Sequence, residues 1–438
     1  MKIVQITAGA GGRLCGSCLH DNALVRSLRA RGCDAMLVPA YVPTTTDEEN
    51  VAIDRIVMGG VTVWLEEHVP PFRHMPRFLD AILGRVLDSR WLLEWLSSRT
   101  SATRPSDLGP LTASTLAGEQ GHQRKEVEKL AHWLVTDIRP DVVHFSNALL
   151  VGLARRVKEA TAAKIVCTLS GEDIFIEQIP APYYGQIRQL LRERAADVDQ
   201  FVALNSSFAE FMAAYLAVPL EKITVIQHGL DRTGFPAEAP DLLARRRVRG
   251  GRLVVGSLAR ACPEKGLEQL VRSLPLLAQH RDVEVLAAGA QVGSEQEYLD
   301  RCLTLARELG VADRFHWLGQ VDRPGKLRLL DSIDVFAMPT MFPEAKGIPI
   351  IEAMASGVPV VAPAHGTFPE LLDGERAGLL HVPGDAADLA RAIGFLLDDS
   401  GLASRCGRHG HELSLARHTA DRMAAEHEKL YTRLVVPS

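Results

Sequence analysis

The chain has 438 residues, enough for two domains, and its 47% apolar and 24% charged residues are those of a globular protein. A net charge of −5 argues against a nucleic-acid-binding protein. The sequence has no run of about 18 apolar residues, so we expect no transmembrane helix. Seven cysteines, an odd number, do not indicate a disulfide framework. We expect a cytoplasmic protein, and contact with the inner face of a membrane stays open.

The first half of the chain follows the strand–helix alternation of a Rossmann-like domain. An apolar strand at residues 3–6 leads into a glycine-rich loop with Gly11 and Gly12, and a helix follows. The Gly9-x-Gly11 pattern lacks the third glycine of a dinucleotide fingerprint because position 14 is Leu14. A nicotinamide-dependent enzyme is therefore a competing but weaker interpretation.

Cys15 and Cys18 form a C-x-x-C pair at the predicted start of that helix, where the pKa of a thiol falls. The chain is far larger than a thioredoxin fold, and two thiols alone cannot complete a zinc site. We therefore expect a structural or acceptor-side role for the pair in preference to a catalytic redox role, and no zinc site.

Residues 66–130 interrupt the alternation with amphipathic helices that are rich in aromatic and arginine residues. Such a segment suits a lid over an acceptor site or a helix that lies on a membrane surface. A helical insertion packed against the sheet explains the same pattern equally well, and both interpretations stay open.

Polar residues follow two further predicted strands, at residues 140–147 and 164–169. Ligands of doubly wound sheets bind at the carboxyl ends of the strands. The residues placed at those ends are Asn147, Ser170, Glu172 and Asp173.

The second half opens with an apolar strand at residues 253–258, and two cations, Arg260 and Lys265, follow it. They precede a predicted helix N-terminus, and this combination of charges and N–H groups suits a phosphate-bearing ligand.

Residues 342–361 carry the most informative pattern of the chain. A buried strand precedes a loop with Gly347, and Pro349 opens a helix at a position where a missing N–H costs nothing. Glu344 therefore lies in the loop and Glu352 about one helical turn beyond Pro349. Helix-start N–H groups attract anions, whereas two carboxylates can only accept hydrogen bonds, for example from hydroxyls. The combination suits a sugar nucleotide.

The spacing E-x7-E followed by A-M-A-S-G-x-P-V-V resembles the signature of the retaining family 4 glycosyltransferases of GT-B fold. The resemblance covers roughly residues 140–400 well and residues 1–40 moderately. It implies an α/β fold of two Rossmann-like domains facing a cleft, with a C-terminal helix that crosses back to the first domain. The expected parts are an acceptor-side domain at 1–235 with the helical insertion at 66–130, a linker at 236–251, a nucleotide-sugar domain at 252–411 and a crossover helix at 412–438.

The resemblance also implies roles for single residues. In this family the first glutamate of the signature contacts the donor sugar, the second holds the ribose, and an Arg and a Lys clamp the diphosphate. The expected catalytic residues are Glu344, Arg260 and Lys265. The expected donor-binding residues are Gly11, Gly12, Arg260, Lys265, Gly289, Gly319, Glu344, Gly347, Ile348, Pro349 and Glu352. Asn147, Ser170, Glu172, Asp173 and His228 are the expected acceptor-side or sugar contacts.

The chain departs from the family pattern at four positions, one of which is Ala259, where the family usually has glycine before the arginine. Ser146 and Ser170 stand where the family usually has histidine, and His228 stands where it has asparagine. These departures put the sugar pocket in question and are compatible with a separate subgroup.

The activity implied is transfer of a sugar from a nucleoside-diphosphate sugar to an acceptor hydroxyl, with retention of configuration and without a metal or other cofactor. The acceptor would be a carbohydrate, a lipid-linked molecule or a small molecule, and no nucleic acid is expected as a partner. Two alternatives stay open: a GT-B nucleotide-sugar epimerase and a non-catalytic sugar-nucleotide-binding protein.

Overall fold

The computed structural model of the protein describes residues 1–9, 15–69, 108–248, 250–290 and 295–436. Gly11, Gly12 and most of the predicted insertion therefore lie outside the described residues. The chain forms two compact units, Met1–Gly229 with Ala420–Ser438 and Leu230–Thr419.

The first unit is built on a six-stranded parallel sheet of order β2-β1-β3-β4-β5-β6. Its strands are β1 (Lys2–Thr7), β2 (Asp34–Pro39), β3 (Val142–Phe145), β4 (Lys164–Thr168), β5 (Gln200–Ala203) and β6 (Ile223–Val225). The central strands are mostly apolar and buried, as expected for a parallel sheet that helices cover on both faces, and Gln5 on β1 and His144 on β3 are among the buried polar exceptions.

Helices connect these strands. They are α1 (Gly16–Ala30), α2 (Gly60–His68), α3 (Gly109–Ala117), α4 (Arg124–Trp133), α5 (Ala154–Thr161), α6 (Asp173–Ile176), α7 (Tyr183–Ala195) and α8 (Ser206–Leu216). The shorter helices are Gly118–Gln120, Leu134–Ile138, Ala148–Leu153 and Leu220–Lys222. The described parts of the predicted insertion, residues 66–69 and 108–130, are largely helical.

The second unit repeats the plan with a parallel sheet of order β12-β11-β10-β7-β8-β9. Its strands are β7 (Leu253–Leu258), β8 (Val283–Ala288), β9 (Phe315–Trp317), β10 (Val335–Ala337), β11 (Val360–Pro363) and β12 (Gly378–His381). Its helices are α9 (Leu242–Val248), α10 (Leu267–Ala278), α11 (Gln296–Glu308), α12 (Arg323–Ser332), α13 (Ile348–Ala355), α14 (Phe368–Leu371), α15 (Ala386–Asp398) and α16 (Ser400–Arg417), with a short turn at Pro263–Lys265.

The segment predicted as a linker, residues 236–251, belongs to the second unit, which begins at Leu230. The segment includes α9, whose arginines form ion pairs with acidic residues of the same unit: Arg245 with Asp331 at 2.6 Å and Arg246 with Asp334 at 3.1 Å. These pairs attach α9 to the rest of the second unit.

The last helix, α17 (Ala420–Val435), packs against α1 of the first unit. Arg31 donates hydrogen bonds to Asp421 at 3.0 Å and to Glu428 at 2.9 Å. Tyr431 is fully buried, and its hydroxyl lies 2.6 Å from Nδ1 of His144 on β3. The return of the C-terminal helix to the first domain is thus as predicted. Among the described residues, no helix combines the length and apolar character needed to cross a membrane.

Candidate functional site

Most of the expected donor-binding residues of the second unit lie in loops at the carboxyl edge of its sheet. Because all its strands are parallel, their carboxyl ends lie along one edge. Arg260 and Lys265 follow β7, Gly289 follows β8 and Gly319 follows β9. The Gly289 N–H donates to the Gly319 carbonyl at 2.9 Å, which joins two of these loops.

The loop after β10 joins the same cluster. The Met341 N–H donates to the Glu264 carbonyl at 2.9 Å, which fixes the loop against the turn that carries Lys265. Lys265 forms an ion pair with Glu344, and both side chains are mostly buried, with 24% and 17% of their surface exposed.

The Lys265 ammonium determines the charge state of Glu344. Burial would raise the pKa of Glu344, but the charge of Lys265 and its hydrogen bond outweigh burial, so this pKa lies below its usual value. The carboxylate is therefore ionised at neutral pH and can only accept hydrogen bonds. An ionised acceptor beside a cation can hold a ligand that carries both hydroxyl and phosphate groups.

Gly347 ends the loop and precedes the first turn of α13. Its φ of +63° lies in the left-handed region, where glycine has no steric penalty. Pro349 occupies the first turn of α13, as predicted. The Ile350 and Ile351 N–H groups donate to the Gly347 carbonyl at 2.9 and 3.1 Å, which leaves the N–H groups of Gly347 and Ile348 as donors for an anion at the same edge of the sheet.

Glu352, on α13, forms an ion pair with Lys326 of α12, with Nζ and Oε1 2.6 Å apart. Only 8% of the Glu352 side chain and 12% of the Lys326 side chain are exposed. The sequence analysis missed Lys326, because the two residues lie on different helices with β10 between them. No local spacing rule relates them.

Arg260 forms a similar pair with Glu295, with Nη1 and Oε1 2.7 Å apart. The Glu295 side chain is almost buried, whereas about half of the Arg260 side chain is exposed. Glu295 is a second residue that the sequence analysis missed. The site thus presents three cations, each held by a carboxylate at a defined place.

In the first unit, Glu172 joins two loops at the carboxyl edge of the sheet. Its carboxylate accepts the Ala148 N–H at 3.0 Å and the Ser170 N–H at 2.6 Å. Burial raises the pKa of Glu172, although these backbone donors oppose the shift. Asn147 accepts the Leu149 N–H at 3.0 Å. Asn147, Ser170 and Glu172 therefore lie together, and Asp173 begins α6 beside them.

His228 lies inside the first unit, where its Nδ1 is 3.0 Å from Nδ1 of His20. Both rings are buried. This position favours a role in packing, and the expected contact of His228 with a sugar stays a prediction.

The C-x-x-C pair differs from a reactive thiol pair. Cys15 is partly exposed and Cys18 is buried at the start of α1. The hydrogen bond with Cys15, together with burial, raises the pKa of Cys18. The shift is opposite to the one expected of a helix N-terminus, because contact with a second thiol and an apolar environment outweigh it.

No group of three or more His, Cys, Asp or Glu side chains in the described part of the chain is arranged to hold a metal ion. Asp197 and Asp199 form a D-x-D pattern of the kind that can bind a metal, but both carboxylates form ion pairs: Asp197 with Arg155 at 3.1 Å and Asp199 with Lys158 at 2.6 Å.

Two family models match the chain. One describes glycosyl transferases group 1 and matches residues 241–413, and the other describes glycosyltransferase family 4 and matches residues 116–233. A GDP-mannose-dependent alpha-(1-6)-phosphatidylinositol monomannoside mannosyltransferase of Mycobacterium tuberculosis is 32% identical over 307 residues, which cover 67% of this chain and 76% of that protein. A D-inositol 3-phosphate glycosyltransferase of Nocardia farcinica is 27% identical over 336 residues, 72% and 70% of the two chains.

Solved structures resemble the whole chain. Anabaena HepE in complex with UDP superposes with a TM-score of 0.70 at 18% identity, over 99% of this chain and all of that one. The sucrose-phosphate synthase of Thermosynechococcus elongatus gives a TM-score of 0.72 at 18% identity, over 100% of both chains. These likenesses confirm the predicted fold of two Rossmann-like domains.

Proposed function

We propose that this chain, which belongs to the family 4 glycosyltransferases of GT-B fold, transfers a sugar from a nucleoside-diphosphate sugar to an acceptor hydroxyl with retention of configuration. The observation that carries the proposal is the contact of Lys265 with Glu344 beside the start of α13. A cation, free helix N–H groups and an ionised acceptor there match the diphosphate and the sugar hydroxyls of one donor molecule.

The charged residues of the site bind different parts of the donor in this proposal. Arg260 and Lys265 bind the diphosphate through charge-assisted hydrogen bonds, together with the N–H groups that open α13. A diphosphate that binds Lys265 replaces Glu344 as its partner, and Glu344 then accepts hydroxyls of the sugar. Glu352 accepts the ribose hydroxyls while Lys326 holds its carboxylate in place.

Catalysis then rests on charge that is already in position. Arg260, Lys265 and the loop N–H groups stabilise the negative charge that develops on the leaving diphosphate, and they need no reorganisation to do so. The leaving phosphate takes the proton of the acceptor hydroxyl, and no side chain acts as a covalent nucleophile. The reaction needs no metal in this scheme because the two cations take over the neutralisation of charge.

The acceptor belongs to the first domain in this proposal. Asn147, Ser170, Glu172 and Asp173 offer hydroxyl-binding groups at the carboxyl edge of its sheet. A carbohydrate, a lipid-linked molecule or a small molecule with a free hydroxyl fits this set. The relative from Mycobacterium tuberculosis acts on a phosphatidylinositol mannoside, as its name states. For a lipid-linked acceptor, we propose a cytoplasmic enzyme that works at the inner face of the membrane.

A thermal-shift panel of UDP, GDP, ADP and their sugars tests donor binding. A ligand at about 100 times its dissociation constant stabilises a protein by about 2.7 kcal/mol, which is easily detected. The preferred donor is then incubated with candidate acceptors in excess EDTA, and the anomeric configuration of the product is determined by NMR. We expect turnover with retention. Failure of every nucleotide to bind, or activity that needs an added divalent metal, would contradict the proposal, and a new sugar nucleotide formed without acceptor would identify an epimerase.

A further inference from the structure

The turn after β11, residues 364–367, supports the loop that carries Glu344. Two hydrogen bonds and one close backbone contact join the turn to residues 340–344. Both segments belong to the second domain, at the carboxyl ends of neighbouring strands β10 and β11.

Gly366 makes the closest of these contacts. A Cβ atom on Gly366 would lie 2.5 Å from the backbone N of Glu344 and 2.7 Å from its carbonyl O. These atoms belong to the backbone, so a side chain at this position would have to displace Glu344 itself. The φ of Gly366 is +58°, which adds a second reason for glycine.

Two hydrogen bonds flank this contact. The Thr367 N–H donates to the Glu344 carbonyl at 2.8 Å, and Nε2 of His365 donates to the Thr340 carbonyl at 3.1 Å. Burial lowers the pKa of His365, although the bond to Thr340 opposes the shift, so the ring is neutral at physiological pH. The turn therefore holds the loop both at its beginning and at Glu344.

We propose that the turn at residues 364–367 is the positioning element of Glu344, and that it determines the affinity for the sugar part of the donor. The inference rests on the proposed function. The diphosphate is assigned to Arg260, Lys265 and the N–H groups of α13. The turn reaches Lys265 only through Glu344, and a bound diphosphate takes the place of Glu344 on Lys265. Displacement of Glu344 should therefore weaken binding of the donor and spare the free nucleoside diphosphate.

The test compares Gly366→Ala with Gly374→Ala. Gly374 is a matched control, since its φ is +64° and a Cβ there would have no atom within 4 Å. Both variants carry the same backbone strain, and only Gly366→Ala pushes on Glu344. We expect Gly366→Ala to lose about tenfold to a hundredfold in affinity for the donor sugar nucleotide, while affinity for the free diphosphate stays within about threefold. Gly374→Ala should keep wild-type affinity for both.

His365 provides a second pair of variants in case Gly366→Ala does not fold. His365→Ala removes the donor to the Thr340 carbonyl, and His365→Gln keeps an N–H donor on a side chain of similar reach. We expect a selective loss for the sugar nucleotide in His365→Ala and recovery in His365→Gln. Calorimetry uses the nucleotide and sugar nucleotide selected by the thermal-shift panel.

Three outcomes separate the two proposals. If wild-type protein binds no sugar nucleotide, the proposed function fails. If wild type binds it and Gly366→Ala behaves like Gly374→Ala, the positioning role of the turn is wrong. If Gly366→Ala or His365→Ala weakens free diphosphate and sugar nucleotide equally, the turn only maintains the fold, and the inference is overturned.

Discussion

At the scale of single residues, the two signature glutamates should be separable by experiment. Glu352 is assigned to the ribose, which free nucleotide and donor share, whereas Glu344 is assigned to the sugar. Glu352→Gln should weaken both ligands by similar factors, and Glu344→Gln should weaken only the donor. A lost charged hydrogen bond is worth about 1.5–3 kcal/mol, or roughly tenfold to a hundredfold in affinity. Calorimetry with both ligands on both variants measures these affinities. If Glu344→Gln weakened binding of the free nucleotide as much as binding of the donor, the assignment would be refuted.

Lys326 allows a second prediction at this scale. Lys326→Met would leave the carboxylate of Glu352 buried without its cation, and breaking a buried pair in this way costs on the order of 3 kcal/mol. Urea denaturation should show that loss of stability. In Lys326→Met/Glu352→Gln, most of the loss should disappear because no uncompensated charge remains. If the loss of stability in the double variant equals the sum of the losses in the two single variants, the two side chains do not stabilise each other.

At the scale of elements, the C-terminal helix α17 is fixed to the first domain by a buried hydrogen bond. His144 uses both ring nitrogens, with Tyr431 at 2.6 Å and Thr168 at 2.8 Å. Tyr431→Phe removes one partner and leaves a buried nitrogen unsatisfied, which should lower the free energy of unfolding by about 1–3 kcal/mol.

Tyr184→Phe is the matched control for this variant. Its hydroxyl also donates one hydrogen bond, to Glu177 at 3.1 Å, but that bond is exposed to solvent. Tyr184→Phe should therefore change stability by less than about 0.5 kcal/mol. Thermal unfolding of the two variants measures the contrast, and equal shifts would show that the buried contact does not anchor α17.

The elements themselves were largely predictable from the sequence. Apolar runs between turn residues correctly predicted β1, β3, β4 and β7, and the crossover helix expected at 412–438 is α17, which begins at Ala420. The signature predicted a loop, a proline at the helix start and a glycine after α13, because these residues act through local backbone geometry. The segment expected as a linker, residues 236–251, lies in the second unit, where Asp331 and Asp334 form ion pairs with its arginines, and such contacts between distant residues leave no local signal in the sequence.

The candidate site was predictable only where its residues belong to one local motif. Lys326, Glu295 and the turn with Gly366 act through contacts between different strands and helices, and single-sequence periodicity carries no information about such pairs. Packing is equally hidden from the sequence. It buries Cys18 and His228, and it places His228 beside His20, which lies 208 residues away in the chain.

At the scale of the whole molecule, buried histidines make stability depend on pH. His144 and His427 are fully buried. Burial lowers the pKa of His144, as does the charge of His427, and burial lowers the pKa of His427 to about 4. In the unfolded chain these rings titrate near pH 6.5. The unfolded state therefore binds protons first, and the free energy of unfolding should fall as the pH drops from about 6.5 to about 4.

The contribution of His427 can be isolated. A depression of its pKa from about 6.5 to about 4 corresponds to roughly 3 kcal/mol lost across this window, since one pKa unit is about 1.4 kcal/mol. His427→Gln keeps a donor for the Met423 carbonyl, which Nδ1 of His427 contacts at 2.9 Å, but cannot take up a proton. Urea denaturation at steps between pH 7 and pH 4 should show that the free energy of unfolding falls less steeply in His427→Gln than in wild type. The reason is that unfolding of this variant takes up about one proton fewer. Parallel curves for the two proteins would mean that carboxylates alone cause the acid sensitivity, and that burial of this ring adds nothing to it.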